Sequence, residues 1–166
     1  MKMLAKLIRY KRWADDLMLA DIGSVPLAEA ERSRATRWDN MIRTMNHVRV
    51  VDDIFRAHLT GSAHSYTYRN TDVTPSLDEL VILMDRLDRW YIDYVDGLDD
   101  VAADEIVRFR FLDGSEGVLT REEIILHVVN HATYHRGLVS DMLYQAEFIP
   151  TTNDLPVFLG RATNRD

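Results

Sequence analysis

Leu77, Leu80, Met84, Leu87, Tyr91, Tyr94 and Leu98 succeed one another at alternating steps of three and four. That is the seam of a helix that packs lengthwise against other helices. Ser76 and Glu79 form a capping box in front of it, and Gly97 stands where it should end. The same spacing recurs elsewhere in the chain. Leu4, Leu7, Ile8, Ala14, Leu17 and Met18 predict a first helix from about Leu4 to Ala20, stopped by Gly23 and Pro26, with Tyr10 and Trp13 as packing aromatics. Met41, Met45, Val48, Asp52, Phe55 and Leu59 predict a second, from about Thr36 to Leu59, closed by Gly61. Thr120-Arg121-Glu122-Glu123 repeats the capping box and opens a last helix that runs to about Ala146.

Four such helices predict an all-α fold, a four-helix bundle forming one domain over residues 1–166. Before the last helix the period drops to two. Val107, Phe109 and Phe111 alternate with Arg108 and Arg110, and Asp113-Gly114 marks a tight turn ahead of Gly117-Val118-Leu119, so a short β-hairpin is expected to cap one end of the bundle. Glu29 to Arg37 is charged and unpatterned. Gly61 to Pro75 reads as a polar loop to which no chemistry is assigned, and His58 and His64 read as surface residues. The final twenty residues, with Pro150 and Pro156, are expected to be an extended tail packed on the domain. Connections this long leave open which helices are neighbours.

Charge and cysteine content narrow the chemistry. With 27 acidic against 20 basic residues the net charge is -7, which disfavours binding to nucleic acid or an anionic membrane. Lysine occurs only at positions 2, 6 and 11, a scarcity read as compositional bias. No run of apolar residues has the length of a membrane span or the form of an export signal. The absence of cysteine excludes disulfides, thiolate metal sites and a cysteine nucleophile, and fits a reducing cytoplasm. Any metal must be held by imidazole, carboxylate or water, a donor set open to Zn, Ni, Fe, Mn or Co.

Such donors are present. His131 and His135 are four residues apart on the last helix, so their rings stand about one turn apart on one face. Taking Ile124 as reference, Val128, His131, His135, Leu138 and Met142 all fall within about 40° of it, so both rings point inward. Alone, the pair reads equally well as satisfied core histidines. His47 leans inward from the second helix and would complete three ligands, leaving a position open, as in catalytic sites. His127 competes for that place, but it is about 12 Å along the axis from His135, too far for one ion, and is expected to stand behind a ligand or to be a hydrogen-bonded core residue. Asp52 interrupts an apolar row. A carboxylate there must be paired or ligated, either orienting a histidine and handling a proton, or closing a buried Asp–Arg pair. Ala132 follows His131, so the His-Glu-x-x-His protease pattern is absent.

The run Asn130-His131-Ala132-Thr133-Tyr134-His135-Arg136-Gly137, preceded by His127-Val128-Val129, resembles the last-helix motif of the DinB family, and the resemblance covers nearly the whole chain. It implies a four-helix bundle that binds one divalent ion, Zn or Ni foremost, through histidines corresponding to His47, His131 and His135, and a homodimer. Related members are transferases or isomerases that use a low-molecular-weight thiol. The leading expectation is therefore a metal-dependent enzyme, such as a thiol S-transferase, acting on a small-molecule substrate. Its rival is a non-catalytic stress-related protein in which the ion only staples helices together.

Overall fold

A computed structural model describes residues 2–163. Four long helices, α1 (Lys2–Ser24), α3 (Met41–Thr60), α4 (Leu77–Asp96) and α6 (Arg121–Gln145), form the bundle. Two single-turn helices, α2 (Leu27–Ala30) and α5 (Asp100–Ala103), lie in the connections. The hairpin β1 (Ile106–Arg110) and β2 (Glu116–Thr120) precedes α6, and α7 (Leu155–Thr163) follows it. The helix order left open by the sequence is resolved: α1 packs against α4 and α6, and α3 packs against the same two. The first two long helices in sequence are thus diagonal partners, which the long connections permit.

Both capping boxes form as expected, at Ser76 with Glu79 and at Thr120 with Glu123. Gly61 ends α3 in the left-handed conformation, with φ of 67°. The hairpin pairs in the register Phe109↔Gly117. A Cβ at Gly117 would stand 2.4 Å from the Phe109 ring, so only glycine fits there. This lets Phe109 drop between Phe55 and His58 and seal that end of the bundle.

Two expectations need correcting. The second long helix begins at Met41, not near Thr36, because the Asn40 side chain accepts from the Arg43 N–H and Asp39, with φ of 72°, turns the preceding chain away. The residues before it double back, with the Arg34 N–H donating to the Asp39 carbonyl, and bury Trp38. The last segment is not an extended tail: Leu155–Thr163 is helical. Pro156 falls in its first turn, where the missing N–H has no intrahelical partner to lose. Phe158 packs on Tyr10 and Trp13, so the segment does lie against the bundle, and both aromatics of α1 serve packing as expected.

Two apolar clusters fill the interior, one around Leu4, Ile8, Phe55, Tyr91 and Ile124, the other around Met18, Met41, Met45, Met84 and Met142. A charged band separates them at mid-length. Lys11, one of only three lysines, is fully buried, with its Nζ 2.8 Å from Asp15, 2.8 Å from Asp52 and 2.6 Å from Asp88. Arg136 joins through Asp15 at 2.6 Å. These five side chains come from all four bundle helices. Tyr91 adds its hydroxyl, donated to the Asp52 carbonyl at 2.7 Å. Burial pushes the Asp52 carboxyl up to about 7 and Asp88 up to about 6, with Lys11 opposing both shifts. Burial works against the Lys11 ammonium as well, but the three carboxylates outweigh it and raise its pKa well above the ordinary value.

Removing Lys11 strands Asp52 and Asp88 in the core and leaves Asp15 with Arg136 alone. Lys11→Met is expected to cost about 3–5 kcal/mol in urea unfolding, against under about 1 kcal/mol for Arg12→Met at the partly exposed pair with Asp85. The sign with pH follows from linkage. A carboxyl whose folded pKa is raised contributes stability that is complete below its unfolded value and lost as pH rises through the folded one. Lys11→Met raises those folded values further, so the variant should be more stable at about pH 5 than at about pH 8, by a wider margin than wild type. A cost near that of Arg12→Met would show that the band does not hold the helices together.

Candidate metal centre

The three histidines expected as ligands converge. His47 on α3 and His131 and His135 on α6 each offer one donor atom, and these atoms lie within 4.8 Å of one another. The Nε2 atoms of His47 and His131 are 3.1 Å apart. Two nitrogens bound to one tetrahedral ion at ordinary Zn–N lengths stand about 3.3 Å apart, so this pair already has ligand spacing. His47 and His135 are buried and His131 is half-buried.

Each ring is fixed by a distinct local cause. His47 Nδ1 is 2.6 Å from the Arg69 carbonyl oxygen. A carbonyl only accepts, so Nδ1 carries the proton and donates it, leaving a lone pair on Nε2 directed at His131. Trp38 stacks on the same ring at 3.9 Å between centroids and prevents it from turning. His131 and His135 sit on the stripe that carries Ile124, Val128 and Met142 into the core, and in both the buried Nδ1 has no hydrogen-bond partner among the described residues. With His47 Nε2 acting as an acceptor, the contact at His131 needs either a proton from His131 or a cation between the rings. The donor set therefore fits a divalent ion.

Burial keeps these imidazoles neutral. It lowers His47 to about 4, partly opposed by its bond to the Arg69 carbonyl and reinforced by the charges of His135, Arg69 and Arg37. It lowers His131 to about 2, helped by the positive charges of the neighbouring histidines and of Lys11, and His135 to about 4. Neutral imidazole is the form that binds metal.

Asp52 is placed elsewhere. It is 1% exposed and engages Lys11, and among the described residues it makes no hydrogen bond or ion pair to a histidine. The orienting carbonyl of Arg69 does what a carboxylate was expected to do, and the buried partner of Asp52 is a lysine, not an arginine. Arg136 next to His135 points to α1, where it meets Asp15, while His135 points to the cavity. His127 is not in the core: its ring stands on the cavity wall, against Phe55 at 4.6 Å and His131 at 5.6 Å. His58 also lines the cavity and stacks on Phe109, so it is more than a surface residue, while His64 is half-buried against His58.

Sequence reasoning passed over the loop between α3 and α4 and the segment before α3. Arg69 orients His47, Asn70 anchors the loop by donating to the Arg43 carbonyl at 3.0 Å, and Trp38 braces the ring. The one signal in the sequence was the length of the loop.

These features define a class: helical bundles with a three-histidine centre at the head of a cavity. Comparisons with known proteins give the family and the fold. The DinB family profile matches residues 1–165. Protein DinB of Bacillus subtilis (strain 168) is 24% identical over 162 residues, spanning 93% of this chain and 92% of that protein. The crystal structure of a DinB-like protein from Bacillus cereus ATCC 10987 matches with a TM-score of 0.67 over 87% of this chain and 91% of its own, at 14% identity, a likeness of fold. The chain belongs to the DinB family.

The depressed histidine pKa values set the pH response of metal binding. Three imidazoles with ordinary pKa would lose roughly several hundredfold in affinity to proton competition between about pH 7 and about pH 5.5. Here the loss over that interval should stay under about threefold, because the folded pKa values all lie lower. Calorimetric titration of metal-free protein with Zn at the two pH values checks this. A loss of a hundredfold or more would contradict the neutral, preformed site.

Proposed function

We propose that this protein is a metal-dependent enzyme in which His47, His131 and His135 hold one divalent ion, with Zn or Ni favoured, and that it acts on a small molecule with a low-molecular-weight thiol as cosubstrate. The observation that carries the reading is the position of the triad. It lines a cavity of about 370 Å³ instead of being sealed in the core, a size suited to a small ligand. No fourth histidine, aspartate or glutamate joins the cluster among the described residues. Three protein ligands and an accessible face are the pattern of catalytic sites.

When bound, the ion would act as a Lewis acid that lowers the pKa of a thiol or water. The chain's own part is positional. The Arg69 carbonyl and Trp38 hold His47 in one orientation, so that the site needs little rearrangement. Val51, Ile54, Phe55 and Leu138 form a wall that displaces water from around a reacting group. Beside the triad, His127 and Tyr134 line the cavity with groups that can exchange a proton, the Tyr134 ring lying 4.9 Å from that of His135. Burial lowers the pKa of His127, so its imidazole is neutral at physiological pH and able to accept a proton. Asp52, fastened to Lys11, is assigned no step. A homodimer, as the resemblance implies, completes the proposal.

The competing reading, an ion that only joins α3 to α6, predicts a shell that takes no further ligand. Metal analysis of untagged protein tests the first step. About one ion per chain is expected, falling below about 0.1 in His47→Ala, His131→Ala and His135→Ala. Thiol-dependent turnover of an electrophile such as 1-chloro-2,4-dinitrobenzene, in which the thiolate displaces chloride, tests the second. Metal-replete protein that turns over no electrophile with any low-molecular-weight thiol would leave the structural reading.

A further inference from the structure

The cavity wall is unlike the surface of the rest of the chain. Against a net charge of -7, the residues that line it include two arginines, Arg37 and Arg69, and no aspartate or glutamate. Both arginines are exposed, and neither has a hydrogen bond or ion pair from its guanidinium among the described residues; Arg86 and Arg108 share that state but lie outside the cavity lining. Arg37 lies over the Trp38 ring at 5.4 Å, and Trp38 is the residue stacked on His47. Arg69 reaches the same end of the cavity through its own backbone, which holds His47. The positive charge of both is felt at the His47 ring, and Arg69 also acts on Asp113, whose carboxylate is itself engaged by Ser115.

Away from that end the wall is mainly apolar, with His58 and His127 set against its aromatics. The cavity follows α3 through Val51, Ile54 and Phe55 and is closed by Phe111 and Leu112 from the hairpin turn. Three neutral imidazoles do nothing to offset the two guanidinium groups, and a bound divalent ion would add to the positive charge. A neutral ligand would leave this charge uncompensated, and a small inorganic anion would leave the apolar wall unfilled.

Resting on the reading of the cavity as a substrate site, we propose that its ligand is an amphipathic organic anion, with a carboxylate or similar group paired to Arg37 and Arg69 and an aromatic or alkyl body lying along Val51, Ile54 and Phe55. Guanidinium groups pair with carboxylates in a planar, two-point geometry that lysine cannot offer, which suits them to this task. The two arginines fix orientation, and the apolar wall supplies the burial.

The test uses 4-phenylbutyrate, its neutral amide and inorganic phosphate as probes, titrated calorimetrically into the full chain with its metal content measured on the same samples. Wild type is expected to bind the acid at least about tenfold more tightly than the amide, and phosphate more weakly than the acid. In Arg37→Gln/Arg69→Gln the preference for acid should fall below about twofold, while affinity for the amide stays within about twofold of wild type, compared at equal metal occupancy. Equal binding of acid and amide by metal-replete wild type would overturn the proposal. So would a preference that survives in the double variant, since the carboxylate would then be held by the ion alone, or phosphate binding as tightly as the acid. A chain that takes no metal yet shows the arginine-dependent preference would remove the metal reading and support this one.

Discussion

The buried ammonium of Lys11 is the interaction on which the arrangement of helices rests. Its three carboxylate partners, with Arg136 fastened to one of them, draw α1, α3, α4 and α6 to a common level. Apolar packing alone is permissive about how helices rotate and slide, because leucine and methionine faces fit in many registers. A charge that must meet three carboxylates in the core is not permissive. A bundle in which α1 slipped by one turn would bury Lys11 without compensation, at several kcal/mol. The band therefore specifies register, and the histidines at the same level inherit that precision.

The histidine cluster uses the two elements that the band aligns. His47 comes from α3 and the other two histidines from α6, and Asp52 and Arg136 fasten those same helices to α1 from the far side. Local supports finish the work: a loop carbonyl selects the protonated nitrogen of His47, and an indole holds the ring flat. Burial does the rest by keeping three imidazoles deprotonated where an exposed group would begin to charge. Helix packing, loop anchoring and desolvation converge on one point, and each is traceable to particular side chains.

Much of this was legible in the residues. The three-and-four spacing of Leu77 to Leu98, the capping boxes at Ser76 and Thr120, and the alternation through Phe109 gave the helices and the hairpin, because these are local patterns with local causes. The inward lean of His131 and His135 was readable from the stripe they share, and the converged triad combines them with His47 of α3. Asp52 was conspicuous as a carboxylate in an apolar row, but its partner was not, because Lys11 lies in another helix that packs across the bundle. The helix at Leu155–Thr163 went unseen because two prolines mask a short apolar stretch whose helicity depends on Phe158 docking on Tyr10 and Trp13. Arg69 and Trp38 carry no pattern. Their roles exist only once the chain has folded the loops back over α3.

The central claim is a three-histidine centre with a position open to the cavity, and cobalt substitution examines it most directly. Co(II) in this site should give the intense visible d–d absorption of a low-coordinate centre, and adding a small thiol should produce a thiolate-to-cobalt charge-transfer band that is absent from His131→Ala. A spectrum that thiol leaves unchanged, or one that His131→Ala reproduces, would contradict the account.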